Sequence, residues 1–510
     1  MDNPRFLFQI LRGVASVSLG FVASAHAQSV AGPMVVQWQK EYGGWYYDEG
    51  TLIRPTADGY MLMGTDGFGP FGYTDLWVSR LDANGDAVWQ GFLGGSNHDF
   101  GWGLVTYPDG SSISVAYSFS SASGNKTNAA IGTWLIKLGP DGGKLWEAGA
   151  GGTEPRFATT KSGGALIGTS VPGATFSVNG PGGEIVRGRY VDASVSKQAP
   201  DGSYLWTTNH HYWFTNQVKD IRETRDGGIV VAGNARTEES FWRYDYFLMR
   251  LDSQGQYLWS ANYGGTSNEN LRVVRETVDG GFLLGGESFS PADKSKTSAS
   301  FGNSDCWIVK VDSQGIKQWD KTYGGSGEEQ LWDIELLPDG GFIAAATSDS
   351  TNGNKTAPAF GGLDGWLIRC DASGNKIWEQ TIGGDNLDRI ISFTQTPDGG
   401  FIAGIDTFSG VSGNKTTPNL GYSDFWIVKF APETPVLRWN RCCVSNNFSE
   451  WSLVLQGISN VTYRVEVSSN LTTWISIQTN RMSSTQAELL REPISTGTNP
   501  LLFYRAGILP

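Results

Sequence analysis

Hydrophobic residues along this chain gather in short runs that alternate with polar ones, and no long stripe of helical period interrupts them. The stretch from Asn270 is representative. It reads "NLRVVRETV", then "GFLLGGES" after a tight Asp279-Gly280-Gly281, then "DCWIVKVD", then "IKQWDKTY". Each run has the length and the alternation of a β-strand, and the glycines between them supply the positive-φ positions that hairpin turns need. The pattern predicts four antiparallel strands joined by hairpins.

The same pattern recurs. "CWIVKVDSQGIKQWDKTYGG" (Cys306 to Gly325) has ungapped relatives starting at Leu76, Thr133, Ala193, Tyr246 and Gly365. A worn copy begins at Phe425, and half a copy, "VVQWQKEYGG", begins at Val35. The anchoring tryptophans are Trp38, Trp89, Trp146, Trp206, Trp259, Trp319, Trp378 and Trp439, between 51 and 61 residues apart. In six copies a glycine stands four residues before the tryptophan (Gly85, Gly142, Gly202, Gly255, Gly315, Gly374), which suits a type I turn closed by a left-handed residue. Seven periods of four strands predict a seven-bladed β-propeller over residues 28–434, a radial way of disposing of sheet edges. A β-solenoid would need parallel coils without hairpins. The half copy at residues 35–44 is expected to close the ring as the outer strand of the last blade, beside Asp424–Phe430.

Residues 435–510 contain further alternating strands, "WSLVLQG", "TYRVEVSS" and "TTWISIQT", and predict a small β-sandwich as a second domain. At the other end, Arg5 and Arg12 precede the apolar "GVASVSLGFVASA" and Ala25-His26-Ala27. This is the pattern of a cleaved secretory signal peptide over residues 1–27. The fold class expected is therefore all-β, a propeller followed by a sandwich, in an exported protein that is secreted or held at the cell surface.

With these motifs written out, the repeats resemble the bacterial secreted seven-bladed β-propeller repeat proteins, and the Asp-x-x-Gly-x-x-x-Trp turn is similar to the Asp-box hairpin. It departs from the Asp-box in lacking the preceding hydroxyl residue and in its spacing to the tryptophan. The stretch Tyr463–Trp474 with Phe503-Tyr504-Arg505-Ala506 resembles fibronectin-type-III-like modules. These resemblances imply a binding platform and bring no catalytic motif with them.

Composition narrows the chemistry. A net charge of −13 argues against nucleic acid or anionic membrane as partner. Four histidines cannot build a His-rich metal centre, and Cys306, Cys370, Cys442 and Cys443 have no zinc-like spacing, so neither metal nor cofactor is expected. The acidic residue after the double glycine (Asp48, Asp99, Glu269, Glu329, Asp388) recurs once per blade, with Arg156 breaking the series. A ring of that kind reads as a structural contact. Asn-Lys-Thr at residues 125–127, 354–356 and 414–416 reads as an ordered loop.

The junctions between blades and the long loops should share one face of the disc, and long loops carry function more often than tight turns. On that face the repeat is least regular in blades three and four. There the double glycine becomes His211-Tyr212, after His210 and before Trp213, and the next long loop holds Phe241, Trp242, Arg243 and Tyr244. A scaffold that breaks its own rule marks a candidate site, and these eight residues are the expected binding group, with no catalytic residue among them. The function expected is a non-catalytic binding or surface-interaction protein, monomeric, with no membrane span, taking a glycan or an extracellular protein. The alternative is a secreted polysaccharide hydrolase or lyase using the central pocket.

Overall fold

The computed structural model of the 510-residue chain describes residues 8–10, 34–44, 48–150, 153–179, 185–211, 215–236 and 243–431. Beyond these it describes the strands Val436–Cys443, Ser449–Gln456, Thr462–Ser468, Ile475–Arg481, Gln486–Pro493 and Leu502–Ile508. The protein is an all-β, seven-bladed propeller. Blade 1 is Asp48–Pro55, Gly59–Asp66, Asp75–Asp82 and Ala87–Leu93, four antiparallel strands in chain order, and blades 2, 5 and 6 repeat that order. Blades 3 and 4 join into one sheet through a parallel contact of Val191 with Thr215, and the middle strands of blade 3, Ala165–Asn179 and Ile185–Gln198, are about twice the usual length. In blade 7 the order is Val36–Tyr42, Asp424–Phe430, Phe401–Thr407, Asp388–Gln395, so the outer strand comes from the beginning of the chain.

Two compact units are distinguished: residues 39–394 with 403–427, and residues 1–38, 395–402 and 428–510. In the second unit, Leu502–Ile508, Thr462–Ser468 and Ile475–Arg481 make one antiparallel sheet, with Phe8–Ile10 at its edge. Val436–Cys443, Ser449–Gln456 and Gln486–Pro493 make another. The side chains of Cys442 and Cys443 lie outside the described residues.

Apolar packing runs from blade to blade. Val273, Leu283, Ile308, Leu331, Ile334, Phe342 and Trp366 form one such core between blades 5 and 6, with Cys306 and Cys370 buried in it as free thiols. The anchoring tryptophans tie each blade to the next. A Cβ on Gly142, Gly202, Gly255, Gly315 or Gly374 would run into the ring of Trp89, Trp146, Trp206, Trp259 or Trp319 respectively, and all five glycines have φ between +75° and +84°. The turn glycine thus meets two demands, a left-handed backbone and a bare face for the neighbouring indole. The lysine or arginine of the third strand pairs with the aspartate of the other hairpin: Lys310 with Asp279 at 2.9 Å, Arg250 with Asp226 at 2.6 Å, Arg369 with Asp339 at 2.5 Å.

The once-per-blade carboxylates are structural. Asp99 accepts the Gly95 amide at 2.8 Å and the Ser120 hydroxyl at 2.9 Å. Glu329 accepts the Gly325 amide at 2.9 Å and the Ser348 hydroxyl at 2.7 Å. The asparagine of each Asn-Lys-Thr loop clamps the same junction: Asn354 takes the Gly324 amide at 2.8 Å and donates to the Thr322 carbonyl at 2.8 Å.

Candidate functional site

The first strands of neighbouring blades pack against one another around the axis. A central strand would ordinarily be apolar on both faces, yet these carry "DFGWG", "NQVKDIRE", "NLRVVRE", "EQLWDIE" and "DRIIS". The register explains how they accommodate such residues. In blade 2, Gly101 pairs with Ala116 and Gly103 with Val115, so Trp102 is skipped. Lys219, Arg272 and Trp332 are skipped in the same way in blades 4, 5 and 6. Each is a β-bulge, which re-aims one side chain without breaking the sheet.

The bulges surround a cavity of about 610 Å³ on the axis. Every blade contributes to its lining: Glu49 from blade 1, Trp102 from blade 2, Arg156 from blade 3, Lys219 from blade 4, Arg272 from blade 5, Trp332 from blade 6 and Arg389 from blade 7. Three consecutive blades therefore present cations, and a tryptophan bounds that arc at each end. Each boundary is a cation–π contact. The Arg156 guanidinium lies 5.6 Å from the Trp102 ring centre, and that of Arg272 lies 4.5 Å from Trp332. Arg156 Nε donates to the Lys219 carbonyl at 2.9 Å, Arg272 pairs with Glu287 at 3.2 Å, and Arg389 pairs with Asp406 at 3.3 Å. Phe100, Thr65, Gly67 and Thr74 complete the wall on the blade 1 and blade 2 side, so the cavity opens on the face of the junctions and long loops.

An ion network crosses the same first strands among residues that do not line the cavity. Arg275 bridges Asp220 and Asp333, and Arg222 Nε lies 3.1 Å from Asp220. Burial opposes the charge of Arg275, and Asp333 and Asp220 more than offset it. Burial also pushes the Glu335 carboxyl up, against the pull of Arg275, and lowers Arg54. The cavity wall sets Arg156, Lys219, Arg272 and Arg389 against Glu49 and Asp406.

Of the eight residues expected from sequence, Tyr212, Trp213, Phe241 and Trp242 lie outside the described residues. His210, His211, Arg243 and Tyr244 are described, and none of them lines the axial cavity. His210 is buried and hydrogen-bonded to the Gly255 backbone, the part that Tyr263 and Tyr323 play toward Gly315 and Gly374 one blade and two blades on. His211 Nδ1 lies 2.5 Å from Asp192 Oδ1, with the Tyr190 ring edge-on at 4.2 Å. Arg243 stands 3.8 Å from Asp245. The Tyr244 hydroxyl accepts from Gln217 at 3.2 Å, and its ring lies 4.3 Å from the Arg236 guanidinium. Among the described residues no group of three or more His, Cys, Asp or Glu side chains could hold a metal ion, and no helix is long and apolar enough to cross a membrane.

The cavity residues were visible in sequence only as charges and indoles inside strands that ought to be apolar. Arg156 was further disguised. Counting from the double glycine puts it at the acidic position, but the register sets it opposite Gly168, the place that Asp220 and Asp333 hold opposite Ala232 and Ala345.

No family model matches the chain, and no curated protein does. Solved structures similar to it include a protein of unknown function from Bacteroides caccae, at 13% identity over 63% of this chain and 93% of that one, with a TM-score of 0.36. Puromycin hydrolase is similar at 14% identity over 83% of this chain and 62% of that one, with a TM-score of 0.41. A bifunctional GH43-CE protein of Bacteroides eggerthii is similar at 10% identity over 92% and 63%, with a TM-score of 0.29. Likenesses this distant carry no argument about activity.

Proposed function

We propose that this protein is an exported, non-catalytic glycan-binding protein whose working site is the axial cavity, and that its ligand is anionic. The observation that carries the reading is the lining. Arg156, Lys219 and Arg272 face one space between Trp102 and Trp332, in a chain whose net charge is −13. Indoles suit the flat apolar face of a pyranose, and guanidinium groups suit its carboxylate or sulfate. A uronic-acid sugar has both features on one ring. In this reading residues 1–27 are a cleaved leader, so that the Phe8–Ile10 edge strand belongs to the precursor alone, the repeats are those of bacterial secreted propellers, and residues 435–510 are a fibronectin-type-III-like sandwich acting as spacer.

A second reading, a polysaccharide hydrolase or lyase, is favoured by Glu49 and Asp406, two carboxylates in the wall of the same cavity. Affinity electrophoresis of the mature protein through gels containing polygalacturonate, alginate or a neutral glucan tests the first reading. Retardation by the acidic polymers alone supports it, and equal migration in every gel sinks it. Release of reducing ends from the same polymers, abolished by Glu49→Gln, would establish the second.

A further inference from the structure

Beside the cavity, the long-loop face of blades 1 and 2 carries a row of exposed aromatic rings whose two inner members, His98 and Phe100, are not reproduced in blades 5, 6 and 7. Tyr73 and His98 lie 5.1 Å apart between centroids and 22° from parallel. His98 and Phe100 lie 5.7 Å apart and 4° from parallel, and Phe119 stands at 90° to Phe100 at 6.3 Å. At these separations near-parallel rings are offset like treads, so each leaves part of a face uncovered. Tyr73 is 65% exposed and Phe119 45%. The positions that hold His98 and Phe100 here hold Asn268 and Asn270 in blade 5, Glu328 and Gln330 in blade 6, and Leu387 and Arg389 in blade 7. Phe119 recurs as Phe289 and Phe408, and Tyr73 as Tyr422, so it is the His98–Phe100 pair that joins the outer rings into a row only here. Contiguous exposed apolar surface of this kind marks a contact site.

The row is continuous with the cavity. Phe100 belongs to both, and Thr74, whose hydroxyl meets His98 Nδ1 at 3.1 Å, also lines the cavity wall. We propose that Tyr73, His98, Phe100 and Phe119 form a second binding subsite, which takes the continuing chain of an acidic polysaccharide whose charged unit sits in the axial cavity. This rests on the reading of the axial cavity given above. Offset rings offer successive apolar faces to successive sugar units, and the His98 ring and the Thr74 hydroxyl supply polar groups at the edges, where sugar hydroxyls lie. Two linked subsites make affinity depend on ligand length, because the second contact is then intramolecular.

Titration calorimetry on the full chain tests this with two probes, galacturonate disaccharide and polygalacturonate. The variant is Tyr73→Ala/Phe119→Ala, at two solvent-exposed positions, compared with the wild type at matched thermal midpoint. The expected result is that the wild type binds the polymer at least about tenfold more tightly per site than the disaccharide, and that the variant loses this advantage while keeping its disaccharide affinity. Unchanged polymer affinity in the variant overturns the proposal and leaves the cavity reading standing. An equal fall for both probes also overturns it, since the row then only supports the cavity. Absence of wild-type binding to either probe defeats both readings.

Discussion

Arg275 reaches two carboxylates at once, with Nη1 3.1 Å from Asp220 Oδ2 and Nη2 paired with Asp333. Asp220, Arg275 and Asp333 come from blades 4, 5 and 6, so one guanidinium ties three successive first strands. Replacing Arg275 by Ala strips Asp333 of this partner and leaves Asp220 with Arg222 alone. A loss of ~3–5 kcal/mol is expected in urea unfolding, because removing one partner of a buried network costs more than the network contributes intact. Arg275→Ala unfolding at the wild-type midpoint would show that the network is solvated and carries no such role.

Glu41, on the strand Val36–Tyr42, closes the ring differently from its counterparts. It pairs with Lys415 at 3.1 Å and accepts the Thr417 hydroxyl at 2.7 Å, where the equivalent positions in blades 5 and 6 hold Thr322 and Thr381. Burial raises its carboxyl to about 8, and burial also raises Asp48 and Glu269 to about 7 and Asp75 and Asp364 to about 6. A carboxylate raised in the folded state stabilises fully only below its unfolded value, and that contribution is lost as pH rises through the folded value. Asp226 and Asp279, lowered to about 2, act oppositely, and their contribution is lost as pH falls toward 2. Thermal midpoints should therefore fall between pH 6 and pH 8.5. Glu41→Gln should flatten that decline, and a midpoint that rises over the same interval refutes the assignment.

Gly374 sits at φ +75°, and a Cβ added there would stand 2.9 Å from Lys321 Cγ and 3.0 Å from atoms of the Trp319 ring. Gly374→Ala should cost ~1–3 kcal/mol from backbone strain, with a further loss where the indole cannot shift. Trp319→Phe should recover part of it by making room. Double-mutant unfolding that is strictly additive would mean that the two residues do not interact.

The fold was legible because its determinants are local. Turn glycines, alternating strands and a repeat of 51 to 61 residues each constrain the backbone within a few positions. The cavity lining was not, because it depends on register. Trp102, Lys219, Arg272 and Trp332 face the axis only because a bulge skips each of them, and nothing in the spelling of the strand announces the skipped residue. The irregularity at His210 and His211 falls at a blade junction. His210 stands in for a tyrosine, and His211 meets the aspartate that packs against glycine in other blades.

The cation-rich cavity wall predicts salt-sensitive binding. Raising ionic strength from about 0.05 to 0.5 M should weaken capture of polygalacturonate severalfold, because partly exposed charges are screened over roughly a Debye length of 10 Å or less. Salt-independent retention would point to the aromatic surface alone.

For the proposed acidic-sugar site at Arg272 and Trp332, the decisive experiment is calorimetric titration of galacturonate oligomers into wild type, Arg272→Gln and Trp332→Ala. Both variants should fold like the wild type and bind at least about tenfold more weakly, and a neutral glucan oligomer should bind none of the three. Wild-type affinity in both variants, or equal affinity for the neutral oligomer, would contradict the proposal.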